Sequence, residues 1–159
     1  MSCSYSTPTS RKGFTILELM VSTVILAILA SAAVPVSKMM VKRKKEAYLR
    51  ASLLEMRTAI DRYRQAVEEG IIKKPPLDQY GYPADFEELV FGAPHAMKPS
   101  ITIRFLRRIP VDPMTGEAKW GMRSVQDAPD STTWGGQNLF DVYSLSDGTA
   151  IDQTEYSQW

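Results

Sequence analysis

The strongest constraint on this chain is an apolar run close to its start. Between Phe14 and Ser37 there is one ionisable side chain, Glu18, among residues that are otherwise apolar or small. As a helix rising ~1.5 Å per residue, such a run is long enough to cross a ~30 Å hydrocarbon core. A carboxylate costs roughly 2.5–3.5 kcal/mol at the centre of a membrane span, so Glu18 needs a function and a partner. Pro35, near the far end, removes one backbone hydrogen bond and crowds the carbonyl one turn back, so a kink is expected there.

Beyond the run the pattern changes. Lys38, Lys42, Arg43, Lys44 and Lys45 form a basic segment, against only Arg11 and Lys12 before the span. From Glu46 to Glu69, Leu49, Leu53, Met56, Ile60, Tyr63 and Val67 recur at alternating spacings of four and three. That is one stripe of a helix with charged residues on its other faces. Glu46 and Arg50 stand one turn apart in the order that favours an ion pair. With Gly70 as the C-terminal stop, the spacing predicts a single helix over Phe14–Glu69, on the order of 80 Å long. Its first half is apolar all round, and its second half needs a soluble domain to cover the stripe.

The remainder reads as a small α+β domain. Pro75–Pro76 and Tyr80–Gly81 mark a loop, and Pro83 to Gly92 predicts a short helix begun by proline and acids. Residues 93–100 read as irregular. Strands are predicted over Ala118–Val125 and Asn138–Ser144, with Asp147–Gly148 as a turn and a short strand near Thr149–Ile151. Gln126 to Gly136 reads as a loop. A small antiparallel sheet against the amphipathic half of the helix would bury both apolar faces.

Composition narrows the chemistry. A net charge of +1 offers no field for nucleic acid, and none is expected as a partner. The single cysteine, Cys3, precedes the span, so the rest of the chain has neither a disulfide nor a cysteine metal site. The single histidine, His95, lies in a Gly-Ala-Pro-His-Ala loop with no second histidine to share a metal. There is no phosphate-binding glycine loop, nucleophile elbow or paired-histidine zinc motif, so no catalytic residue is assigned and an enzyme is not expected.

Lys12-Gly-Phe-Thr-Ile-Leu-Glu18 resembles the type IV prepilin signal shared by pilins and by the pseudopilins of type II secretion systems. An ordinary secretory signal is cut after its apolar stretch; here the site that the resemblance implies precedes it, so the span stays in the mature protein. The resemblance implies cleavage by a prepilin peptidase between Gly13 and Phe14, N-methylation of Phe14, and Glu18 as the fifth mature residue. It implies a pilin-like fold divided into a leader (1–13), a membrane and filament-core helix (14–37), its amphipathic continuation (38–69) and a globular α+β domain (70–159). Tyr82-Pro-Ala-Asp-Phe-Glu-Glu-Leu89, Phe105-Leu-Arg-Arg-Ile-Pro-Val-Asp-Pro-Met-Thr-Gly-Glu117 and Phe140-Asp-Val-Tyr-Ser-Leu-Ser-Asp-Gly148 are similar to segments of the major pseudopilin family.

That branch implies a subunit of a periplasmic filament anchored in the inner membrane. Its partners would be further copies of itself, minor pseudopilins, an inner-membrane assembly platform and membrane lipid. Glu18 would meet the amine of Phe14 in a neighbouring subunit, or in its own chain one turn earlier. Ala27, Ala30, Ser31, Ala32 and Ala33 would allow close helix packing. A disulfide often closes the C-terminal region of pilus subunits in this class, and its absence here favours a pseudopilin. Two other readings stay open. One is a type IV pilus subunit for adhesion, motility or DNA uptake. The other is a membrane-anchored binding domain facing the cytoplasm, which the basic residues at 38–45 favour under the positive-inside rule. No cofactor is required, but the C-terminal loop of that family can bind calcium, and here Asp147, Asp152 and Glu155 are the candidate ligands. Against that stands Asp147–Gly148 as a plain turn beside solvated acids.

Overall fold

The computed structural model describes residues 13–159, with the backbone alone described at 32–35. The sequence expectations at Arg11, Lys12 and the rest of the leader, at Ala32 and Ala33, and for the ring of Pro35 therefore lie outside the described residues. The elements run α1 (Ile16–Glu68), a 3-10 turn (Leu77–Gln79), α2 (Phe86–Phe91), β1 (Ala93–Pro94), β2 (Thr102–Ile103), β3 (Gly121–Arg123), β4 (Asp141–Tyr143) and a last 3-10 turn (Tyr156–Gln158). The chain divides into two compact units, residues 1–40 and 41–159.

In the first unit, α1 begins two residues later than the spacing predicts, because Thr15 caps it. The Glu18 amide donates to Thr15 Oγ1 at 3.2 Å, satisfying one of the open donors of the first turn. Two hydroxyls within the apolar stretch are satisfied inside the helix: Thr23 donates to the Met20 carbonyl at 2.9 Å and Ser31 to the Ile28 carbonyl at 2.7 Å. The helix continues through position 35 without interruption.

In the second unit the alternating stripe becomes the core. Leu49, Leu53, Met56, Ile60, Tyr63 and Val67 are all buried, joined by Ala59 and Ala66 from the same face. Tyr82, Phe86, Leu89, Leu106, Trp120, Leu139, Val142 and Tyr156 close over them. The helix ends where Gly70 takes φ 69°. There the Gly70 amide reaches the Val67 carbonyl at 3.1 Å and the Ile71 amide reaches back to Ala66 at 2.9 Å. This pair of bonds defines a Schellman stop, and the left-handed conformation it needs favours glycine.

The domain is α+β, but its strands are shorter than predicted and form two separate antiparallel pairs rather than one sheet. Gly121 pairs with Tyr143 and Arg123 with Asp141, so only three residues of each predicted strand join the ladder. Other bonds hold the flanks: the Phe140 amide reaches the Arg123 carbonyl at 2.9 Å and the Val125 amide reaches Asn138 Oδ1 at 3.0 Å. A Cβ at Gly121 would sit 2.1 Å from the Tyr143 ring, so the glycine is where that ring crosses the backbone. The stretch read as irregular, 93–100, opens with β1, which pairs with β2 just beyond it: Ala93 stands opposite Ile103 and Pro94 opposite Thr102. Two alternating residues are too few to leave a period in the sequence.

The short helix begins at Phe86, not Pro83. Asp85 is its N-cap and accepts the Glu88 amide at 3.0 Å, while Glu88 Oε2 accepts the Ala84 amide at 2.7 Å. These two bonds, one to each side of the N-cap, fix the start three residues inside the predicted range. Glu88 Oε1 also accepts the Tyr63 hydroxyl at 2.7 Å, tying α2 to α1. Asp147–Gly148 is not where the C-terminal segment reverses. Thr149 bridges Glu155, and the turn lies between them, with Gln153 at φ 69°. Its bonds run from Ala150 N to Thr154 O at 2.8 Å and from Gln153 N to Ala150 O at 3.1 Å.

Candidate functional site

The residues singled out by the sequence fall in two places. At the N-terminal one, Gly13 and Phe14 precede α1 and Glu18 stands in its first turn. Among the described residues nothing lies within 4 Å of a Cβ built at Gly13. Phe14 is 80 % exposed and Ile16 81 %. A helical stretch near the N-terminus is apolar and long enough to cross a membrane, and none of it is buried within the protein. Glu18 is exposed, and among the described residues its carboxylate meets no cation. It lies at the positive end of the helix dipole, where an anion is favoured. Chemically, the segment presents an accessible peptide bond, an exposed aromatic residue, and an exposed carboxylate on an otherwise oily rod.

The C-terminal place is different. Asp147, Asp152 and Glu155 are all exposed, and the structure does not gather them. Among the described residues no three Asp, Glu, His or Cys side chains stand together as a metal-holding group. Asp152 is already engaged: its Oδ1 accepts the Thr154 hydroxyl at 2.6 Å and amide at 3.1 Å, and its Oδ2 lies 3.7 Å from Arg50. These bonds, with the Thr154 hydroxyl foremost, hold the carboxyl below the usual aspartate range. Glu155 accepts the Ser157 hydroxyl at 3.4 Å. As placed, the three acids do not fit a common calcium shell, which takes six to eight oxygens around one point.

Two acids that the sequence reading did not place in the core, Glu46 and Asp112, are buried. Glu46 does not pair with Arg50 as its spacing predicts. It is 6 % exposed, and its Oε1 accepts the Ile151 amide at 2.9 Å and the Tyr156 hydroxyl at 3.0 Å. Burial first, then this bond, pushes the Tyr156 phenol up to about 12. The signal was present: residues 42 and 46 continue the stripe of 49, 53, 56, 60, 63 and 67 at the same spacing. A charge on that register is a residue facing the core. Asp112 is fully buried; Oδ1 accepts the Met114 amide at 2.7 Å and Oδ2 the Ser144 hydroxyl at 2.6 Å. Ser144 is likewise buried. No local pattern announces that contact, which spans 32 positions. It joins the Ile-Pro-Val-Asp-Pro turn to the Tyr-Ser-Leu-Ser-Asp-Gly segment.

No curated protein and no solved structure matches the chain. Residues 8–34 match a family described as the prokaryotic N-terminal methylation motif, a stretch that takes in Gly13, Phe14 and Glu18. Such a motif implies processing by a prepilin peptidase and assembly with other pilins, and the exposed apolar helix behind it fits an inner-membrane anchor. Together the matched motif and the long N-terminal helix indicate a type IV pilin-like protein.

Proposed function

We propose that this protein is a structural subunit of a type II secretion pseudopilus, made as a precursor and assembled through α1. The observation that carries the reading is Glu18: an exposed carboxylate with no cation among the described residues, on an unburied apolar helix directly behind Gly13–Phe14. The peptidase cuts between Gly13 and Phe14, and Phe14 is methylated on its new amine. The amine of one subunit then meets Glu18 of the next. Opposite charges ~4 Å apart attract by about 4 kcal/mol at an effective dielectric of 20, and leaving either unpaired in hydrocarbon is the costly state. Pairing therefore sets the axial register and favours extraction of the subunit from the inner membrane into a filament.

The globular unit is periplasmic in this reading. The basic residues at 38–45 lie at the outer headgroup layer and hold the helix by contact with anionic lipid. Two features support the pseudopilus over the pilus: the three C-terminal segments similar to the major pseudopilin family, two of them tied by Asp112–Ser144, and the lack of cysteine after the span.

Mass spectrometry of the membrane-extracted protein tests the processing, with a chain beginning at methyl-phenylalanine as the expected result. Glu18→Ala should be cleaved and inserted yet form no filaments, and normal filaments from that variant would refute the charge pairing. Deleting the gene should abolish export of folded proteins; loss of surface pili with export intact would move the protein to a type IV pilus. A reporter fused after Trp159 that is active in the cytoplasm would refute both.

A further inference from the structure

A calcium ion in the C-terminal loop, as the resemblance allows, would tie that segment down through its carboxylates and carbonyls. The observed contacts do that work with side chains of α1. We propose that residues 149–159 form a strap locked to α1 by a metal-free ladder of Lys42, Glu46, Arg50 and Arg57, so that the strap closes without calcium.

The rungs follow one face of the helix. Lys42 Nζ donates to the Thr149 carbonyl at 2.6 Å. One turn on, Glu46 accepts from the Ile151 amide and the Tyr156 hydroxyl. Another turn on, Arg50 faces Asp152 at 3.7 Å and lies 4.1 Å above the Trp159 ring. Two turns further, Arg57 Nη2 donates to the Trp159 main-chain oxygen at 2.5 Å and the Val142 carbonyl at 3.0 Å. Its Nε meets Asp141 at 2.7 Å. The ladder thus holds the strap at its first residue, at its turn and at its last residue.

The chemistry of these contacts is the reverse of a calcium loop. Where a metal loop turns carboxylates and carbonyls inward on a cation, here the inward carboxylate is the helix's own, Glu46. It is satisfied by a phenol and an amide of the strap. The cations are supplied by the helix as ammonium and guanidinium groups. A guanidinium is permanently charged and stacks on an aromatic ring, so Arg50 takes both an acid and Trp159. A divalent ion at Asp152 would lie against that guanidinium and would have to displace it.

The test is hydrogen–deuterium exchange of the full chain in detergent, read by mass spectrometry over the 149–159 peptide. Wild type should exchange equally with millimolar calcium and with chelator. Arg50→Met, an exposed position that leaves the core intact, should speed exchange of the strap roughly three- to tenfold while 53–67 stays unchanged. Glu46→Gln, which keeps shape and one oxygen acceptor, should act in the same direction. Slower strap exchange in calcium, reversed by chelator, would overturn the proposal. So would an Arg50→Met strap that exchanges like wild type, or one whose loosening spreads equally through 53–67.

Discussion

The bond between Ser144 and Asp112 offers the most exacting check on how the globular unit is held together. Both residues are fully buried, and Ser144 Oγ donates to Asp112 Oδ2 at 2.6 Å. Ser144→Ala deletes this donor and, with it, the acceptor of the Ser146 amide at 3.2 Å. A neutral hydrogen bond is worth about 1 kcal/mol net, but a charged acceptor roughly doubles that. A buried acceptor left unmade costs about 1–3 kcal/mol. The expected loss is therefore about 2 kcal/mol, or a drop in Tm of roughly 5–10 °C for a unit of this size. Thermal unfolding of the detergent-solubilised chain, followed at the tryptophans by near-ultraviolet circular dichroism, measures it. Ser146→Ala is the control: its hydroxyl is less buried and accepts a longer bond, 3.3 Å from the Gly148 amide, so its Tm should move little. Equal Tm for Ser144→Ala and wild type would refute the reasoning, because the bond would then contribute nothing net to the fold.

The remaining expectations concern the core and the high-pH limit. Met56→Ala, at a position with no exposure, should cost about 2–5 kcal/mol in the same unfolding assay, whereas Leu54→Ala, 67 % exposed, should cost far less. Similar costs for the two would contradict the stripe. Burial and the bond to Glu88 push the Tyr63 phenol well above its ordinary value, as burial and Glu46 do for Tyr156. The protonated phenols are thus favoured in the folded chain. Their stabilisation is complete below the unfolded value near ~10 and is lost as pH rises through the folded values, so Tm should fall steeply above about pH 10. Tyr156→Phe should flatten the part of that fall up to about pH 12; a profile unchanged by the substitution would contradict the assignment.

Acid should act in the opposite sense at the surface. Asp127 is held below the usual range by the amides of Ser124 and Gly135, and Asp152 chiefly by Thr154. What they contribute is present above about pH 4 and lost as pH falls through their folded values. Asp127→Asn should remove part of the low-pH loss of Tm, and no change in the acid limb would refute its role in pinning the 124–135 loop.

What could be read without coordinates was what neighbouring residues decide. The register of Leu49 through Val67, the stop at Gly70 and the acid-rich start of the short helix all depend on residues three or four apart, and all appear as expected. The motif ahead of α1 is similarly local, because a peptidase reads contiguous residues. Tertiary structure decided the rest. Whether a two- or three-residue segment becomes a strand depends on its partner across the chain, so β1 and β2 were invisible and β3 and β4 were overestimated. Glu46 illustrates the division most sharply. Helical spacing offers it Arg50, worth a few tenths of a kcal/mol at an exposed surface. The fold instead brings Tyr156, 110 positions away, into a buried contact. A buried carboxylate requires its donors, so the distant phenol prevails over the nearby guanidinium. That leaves Arg50 for Asp152 and Trp159, and the C-terminal segment lies where it does because those long-range bonds, unseen in any local pattern, are satisfied together.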